Sequence, residues 1–307
     1  MGLSAGKLVI LGKWLFTRQP TSAAIDITHR CNLKCLHCYW WKQEHPRELS
    51  DSEMLACMER LRATGLRAAI LYGGEPTLRL ELCRAACRIF DATLAFTNGT
   101  NGFPALEKGQ WILSLDGPED VNDRLRGKGV YSLALENLLQ APRPPIVHIT
   151  ICRANQDRIE DFIKEMMGLP IKGIGFSFYT PQRGSDDKEF FIPLEERDRV
   201  VRHLLGLRRI YGEKVGFTPA MARQFLTYGD FRKWNSFSAC PVSKRVRCFT
   251  SDGKLKDCTY GSNADCSRCG CTAVAAYRAA FRPLDYKTLR LIMGLMVPEY
   301  RAPDVNA

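Results

Sequence analysis

Ile27-Thr28-His29-Arg30-Cys31-Asn32-Leu33-Lys34-Cys35-Leu36-His37-Cys38-Tyr39 continues a short apolar stretch that reads as a strand. Three thiols at this spacing, carried by one loop, can ligate three irons of a cubane iron–sulfur cluster. A four-iron cluster with three protein thiolates keeps one iron for an external ligand, so it can bind and reduce a substrate. The competing reading is zinc: a structural site wants a fourth ligand, and His29 or His37 could supply it. The triplet alone leaves both open.

A second stretch bears on the choice. Ala68-Ala69-Ile70-Leu71-Tyr72 is a short apolar run of strand type, followed directly by Gly73-Gly74-Glu75-Pro76. Two glycines let the backbone approach a ligand closely, and Glu75 offers a carboxylate to an ammonium. An ordinary strand-to-helix turn is the alternative. Taken with the triplet, the pair resembles the radical S-adenosylmethionine (SAM) superfamily, with a Cys-x3-Cys-x2-Cys-aromatic loop after the first strand and Gly-Gly-Glu-Pro after the second. The resemblance runs over roughly residues 22 to 215. Thr97-Asn98-Gly99-Thr100 follows Leu94-Ala95-Phe96, and Ser114-Leu115-Asp116-Gly117 follows Trp111-Ile112-Leu113, with Arg124 and Arg126 expected in the loop beyond. Ile146 to Cys152 ends in Arg153-Ala154-Asn155, and Gly173 to Tyr179 ends in Thr180-Pro181.

The resemblance implies an α/β fold, a partial (β/α)6 TIM-like barrel, with functional groups at the C-terminal ends of parallel strands. It implies that Cys31, Cys35 and Cys38 hold a [4Fe-4S] cluster whose open iron binds the amino and carboxylate groups of SAM. Gly73, Gly74 and Glu75 would hold the ammonium, and Tyr39 would lie against the adenine. Thr97, Asn98, Ser114, Asp116 and Arg153 are candidates for ribose and carboxylate contacts, with strand-end capping as the alternative for each. An external reductant such as flavodoxin or ferredoxin would supply the electron that cleaves SAM to a 5′-deoxyadenosyl radical. No base, nucleophile or triad is needed.

Helices are expected over Ser50 to Arg62 (Ser50 and Glu53 spaced as a capping box, Gly65 as stop), Leu80 to Phe90, Tyr131 to Leu139, Gln156 to Met167 and Leu194 to Tyr211. Little helix is expected over Asn101 to Lys108, which contains Gly102 and Pro104. The expected organisation is an N-terminal segment 1–21, a core 22–215 and a cysteine-rich region 216–307.

That last region holds Cys240, Cys248, Cys258, Cys266, Cys269 and Cys271, and Ser251-Asp252-Gly253 marks a hairpin turn inside it. The order Cys240, Gly253, Cys258 resembles the opening of the SPASM and Twitch auxiliary-cluster domains of the same superfamily. Cys266 and Cys269 would complete four thiolates for one auxiliary [4Fe-4S] cluster, with Cys271 able to replace one of them and Cys248 spare. A zinc ribbon is the alternative. Cys83 and Cys87, four apart on an expected helix, read as small buried hydrophobes.

A chain of 307 residues, 45% hydrophobic, can bury a full core. Thirteen clustered cysteines in so long a chain argue against a disulfide scaffold, and thiolate ligands want a reducing compartment, so a cytoplasmic location is expected. Lys13 interrupts the apolar start that would otherwise suggest a leader. The net charge of +11 lies at the ends: residues 26–215 carry 27 basic and 26 acidic side chains, residues 216–307 carry 14 and 7. A solvated basic face, an anionic membrane surface and a nucleic acid are the options, but no common nucleic-acid module is present, so no nucleic-acid partner is expected. Lys7 to Phe16 and Leu289 to Val297 read either as interfacial segments giving peripheral membrane contact or as helices covering the barrel. The substrate expected is a small molecule or lipid, hydrophobic or isoprenoid in character. A peptide maturase and a non-catalytic electron-transfer or sensor protein are the alternatives.

Overall fold

The computed structural model describes residues 5–17, 19–227, 231–281 and 284–295. In chain order the helices and strands are α1 (Ala5–Phe16), β1 (Ser22–Thr28), α2 (Asp51–Ala63), β2 (Ala68–Gly73), α3 (Leu80–Ile89), β3 (Ala92–Thr97), β4 (Gly109–Ser114), α4 (Glu119–Arg126), α5 (Val130–Leu139), β5 (Ile146–Ile151), α6 (Ile159–Met167), β6 (Gly173–Phe178), α7 (Leu194–Tyr211), α8 (Pro219–Phe225), α9 (Pro241–Arg245), β7 (Val246–Phe249), β8 (Leu255–Lys256), α10 (Thr272–Phe281) and α11 (Tyr286–Leu295).

The strands form one sheet in the order β6-β5-β4-β3-β2-β1-β7-β8. Pairing is parallel from β6 to β7, and β7 and β8 close as an antiparallel hairpin. Parallel strands covered on both faces should be apolar throughout, and every residue of β1 is buried. The Cys248–Cys258 hairpin therefore forms as expected and does more: β7 docks alongside β1, with Ser22 opposite Val246 and Ile25 opposite Phe249.

Ser50 and Glu53 make the expected capping box on α2. No helix forms between β3 and β4. One expectation fails: Arg124 and Arg126 lie on α4, not in a loop. Its only buried apolar side chains are Val121 and Leu125, too few for a periodic signal. The sequence did hold another cue, with Glu119 and Asp120 in the first turn, Arg124 and Arg126 in the last, and Gly127 as the stop.

At the other end of the strands, Ile10 of α1 and Ile292 and Met293 of α11 share a buried cluster with Ala68, Ala92 and Ala280. Both end segments thus cover the sheet, although Leu8, Val9 and Phe16 face outward. Met296 and Val297, part of the second segment, lie outside the described residues. Among the described residues, no helix is long and apolar enough to cross a membrane.

Candidate functional site

The cysteine loop rests on the two strand ends that flank it. Gly74 N donates to Thr28 O (2.8 Å) and Glu75 N to Arg30 O (2.8 Å). A Cβ on Gly73 would stand 2.2 Å from Thr28 O, and one on Gly74 2.0 Å from Arg30 O. Gly73 also has φ of +115°. The glycines are thus required first by the approach of this chain to its own cysteine loop.

Glu75 is 1% exposed. Its Oε1 accepts from Thr77 N, Thr77 Oγ1 and Thr97 Oγ1 at 3.0, 2.7 and 2.9 Å, and Oε2 accepts from Asn98 N at 2.8 Å. Four donors make the carboxylate a lock between the β2 turn and the end of β3. Asn98 in turn donates to Asn32 of the cysteine loop (2.8 Å). Thr97 and Asn98 are therefore committed to holding this corner together. Ser114, partly buried at the end of β4, stands opposite His148 of β5.

Asp116, a candidate SAM contact from the sequence, is the centre of a buried ion cluster. It is fully buried, with Arg126 Nη2 at 2.7 Å, His37 Nε2 at 3.2 Å, and Thr150 N donating to Oδ1 at 2.9 Å. Burial pushes its carboxyl up, but Arg126 and His37 outweigh that and hold it well below the usual range. This ion cluster grips the cysteine loop through His37, and Leu36 N donates to Leu125 O (2.8 Å) beside it. Arg153, half exposed, pairs with Glu196 of α7 at 3.1 Å and reaches Lys188 O. A buried acid becomes a hub because its charge must be met, and an exposed arginine goes to the nearest surface acid.

The three thiols influence one another and lie near Arg126. Burial pushes all three up, Cys35 to about 11, so as free thiols they are protonated. Backbone N–H groups of Leu33, Trp40 and Trp41 and the Arg126 charge favour thiolate. These donors fit a cluster. Each nearby imidazole meets a carboxylate at one ring nitrogen, His29 with Glu48 (3.4 Å) and His37 with Asp116. Among the described residues, no three His, Cys, Asp or Glu side chains converge as a single ion would require. A cubane needs no such convergence, since each thiolate takes a different iron.

The C-terminal cysteines gather around Cys258, which acts electrostatically on Cys240, Cys248, Cys266, Cys269 and Cys271. Gly270 carries Cys269 and Cys271 against the end of β6: Phe178 N donates to Gly270 O (2.8 Å), and a Cβ would stand 2.0 Å from Phe178 O. Arg197 of α7, 1% exposed, donates to Cys269 O (3.0 Å) and lies among Phe178, Phe225 and Phe231. Burial lowers it to about 10, so it stays charged at neutral pH.

The two cysteine groups adjoin. Tyr39, next to Cys38, donates to Thr259 O, next to Cys258, at 3.3 Å. Below them Lys256 Nζ meets Asp26 Oδ2 at 2.5 Å, both buried, with Lys256 over the Trp40 ring.

Tyr72 stacks on Phe96 (4.6 Å), Phe96 meets His148 edge-on (5.6 Å), and His148 Nε2 is 3.1 Å from Ser177 Oγ. Burial lowers His148 to about 4, so the ring is neutral near pH 7. The sequence reading missed Tyr72, Phe96, His148, Asp26, Lys256 and Arg197. Alternating strand positions on β2, β3 and β5 were the only signal for the first three.

The arrangement defines a protein with a three-cysteine loop at the C-terminal end of the first strand of a parallel sheet and a second cysteine-rich region beside it. The family model of the radical SAM superfamily matches residues 25–190, more than half of the chain, and the chain belongs to that superfamily. Members of this family are enzymes that use a [4Fe-4S] cluster and SAM. The chain is similar to the sporulation killing factor maturation protein SkfB of Bacillus subtilis, 31% identical over 48% of this chain and 39% of that one. It is also similar to Fe-coproporphyrin III synthase of Methanosarcina barkeri, 34% identical over 37% of this chain and 32% of that one. These matches span about two fifths or less of the relatives' length. A solved structure of anSMEcpe with bound AdoMet and a peptide shares the fold, with TM-score 0.59 at 16% identity over 91% of this chain and 84% of that one.

Proposed function

We propose that this chain is a radical SAM enzyme with one auxiliary cluster, acting on an uncharged, apolar part of its substrate. SAM and the cluster supply reductive cleavage to a 5′-deoxyadenosyl radical that abstracts hydrogen from, or adds to, the substrate. The residues supply position and a dry site. Cys31, Cys35 and Cys38 would hold the SAM-binding cluster, on a loop fixed by Glu75, Asn98 and the Asp116 ion cluster. The backbone at Gly73 and Gly74 would face the SAM ammonium. Four of Cys240, Cys258, Cys266, Cys269 and Cys271 would hold the second cluster.

The observation that carries the substrate class is the contiguous row of Tyr72 on β2, Phe96 on β3 and neutral His148 on β5. An uncharged aromatic row favours a hydrophobic or isoprenoid group, with His148 and Ser177 able to orient one polar atom. Peptide modification is the second reading, favoured by the similarity to a maturation protein and to the fold of a peptide-bound enzyme.

Anaerobic incubation with SAM and dithionite should release 5′-deoxyadenosine, and none at all would sink the enzymatic reading. Cys35→Ala should abolish that release and Cys258→Ala should leave part of it; equal loss from both would contradict separate roles. For substrate class, deuterated lipid and peptide fractions are each added, and deuterium is sought in the 5′-deoxyadenosine. Transfer from lipid supports the first reading, and transfer only from peptide replaces it with the second.

A further inference from the structure

Arg197, near the start of α7, carries a buried charge for which the protein provides no acid. Its Nη1 donates to Cys269 O at 3.0 Å and its Nη2 to Phe225 O at 2.9 Å, while the buried Nε has no hydrogen-bond partner. The ring centroids of Phe231, Phe225 and Phe178 stand 4.2, 5.2 and 5.6 Å from the guanidinium carbon. The carboxylates next to it in the chain are engaged elsewhere. Glu196 pairs with Arg153 and Arg199, at 3.1 and 3.6 Å, and both oxygens of Asp198 accept from Thr227 N, at 3.0 and 3.2 Å. Among the described residues no carboxylate pairs with Arg197.

A buried charge is costly unless it is paired, and carbonyls and ring faces offset only part of that cost. A slot between three phenylalanines would take an apolar side chain at less expense. The charge here therefore calls for a negative group, and its position says which. Arg197 holds the carbonyl of Cys269, and the Cys269 sulfur takes the Cys271 N–H at 3.4 Å. Cys269 and Cys271 act electrostatically on one another and share Cys258 and Cys240 as neighbours. As cluster ligands these cysteines are thiolates, and the net charge of such a cluster is one of the levers on its potential.

We propose that Arg197 is the counter-charge of the auxiliary cluster and sets its reduction potential, holding it above the value that the surrounding rings alone would give. The inference rests on the auxiliary-cluster reading given above, with Cys269 among the ligands. A fixed positive charge in a low-dielectric setting stabilises the reduced, more negative cluster over the oxidised one. One electron enters from the reductant, and no bond or proton moves. The competing account is mechanical, since the same guanidinium ties the Cys269 loop to the end of α8 through its two carbonyl bonds.

The test titrates the reconstituted full chain with dithionite and reads each cluster's potential by electron paramagnetic resonance, the first cluster being the signal that SAM perturbs. Arg197→Gln should shift the one-electron equilibrium of the second cluster about ten-fold or more toward the oxidised form, a potential lower by about 59 mV. The first cluster should keep its potential. Arg197→Lys keeps the charge and loses the planar fork, and should move the second potential by less than about a third of that shift. Should Arg197→Gln load only the first cluster while Arg197→Lys loads both, the same dependence on charge is read from iron content. Variants that behave alike, in potential or in loading, overturn the proposal, as does Arg197→Gln with an unshifted potential, because the fork and not its charge would then be what counts. Iron and sulfide counts that give one cluster per wild-type chain overturn the auxiliary-cluster reading itself, and with it this proposal.

Discussion

Two single residues are the most exacting points of the site. Gly74 has no room for a methyl group, since a Cβ would sit 2.0 Å from the Arg30 carbonyl, a backbone atom that cannot swing aside. Gly74→Ala must therefore push the cysteine loop off the end of β2, at a cost of about 2 kcal/mol or more. Iron loaded at the first cluster should fall with it, and full iron content with an unchanged melting temperature would show that the contact is soft. His148 gives a pH dependence. Its ring is held neutral by burial, which lowers it to about 4 from the ordinary 6.5. A depressed histidine stabilises the fold fully above the unfolded value and loses that contribution as pH falls from about 6.5 to about 4, because only the unfolded chain takes up the proton. The contribution at neutral pH is about 3 kcal/mol. Urea midpoints between pH 7 and pH 4 should fall more steeply in the wild type than in His148→Gln, and parallel slopes would contradict a buried neutral ring.

At the scale of elements, the sequence announced what has a local cause and hid what depends on partners far along the chain. The six core strands, the capping box on α2 and the turn at Ser251-Asp252-Gly253 each follow from neighbouring residues, and each formed. The pairing of β7 with β1 joins residues over 200 positions apart and left no periodic trace. The ion pairs of Asp116 and Arg153 were hidden for the same reason, since strand-end position says a side chain is near the site but not which charge it will meet. Helix α1 was legible only as one of two options. Ile10, fully buried with Ile292 and Met293 over the starts of β2 and β3, argues for a covering helix. Ile10→Ala should then cost about 3 kcal/mol in urea denaturation while 5′-deoxyadenosine release per folded chain stays normal. Unchanged stability in solution would return the segment to the membrane-interface reading, with Leu8, Val9 and Phe16 as its contact face.

Across the whole molecule, the two cysteine groups are neighbours because β1 and β7 are neighbours. One strand leads into the Cys31–Cys38 loop, and the other begins the hairpin that leads to Cys258. Two contacts tie these loops across the sheet edge: the buried Asp26–Lys256 pair, and the Tyr39 hydroxyl on the Thr259 carbonyl. The second can be removed with little other change. Tyr39→Phe keeps the ring and its edge-on packing against Trp40 at 6.1 Å, and deletes only the donor. A lost hydrogen bond of this kind costs about 1 kcal/mol, more where the abandoned carbonyl is shielded from water. If the loops open and close as one cooperative unit, that cost falls on both, although a single atom was removed from one. Hydrogen exchange should then quicken together in residues 35–42 and 257–262, leaving the strands of the core as protected as before. Faster exchange confined to 35–42 would mean that the two cluster loops are held independently.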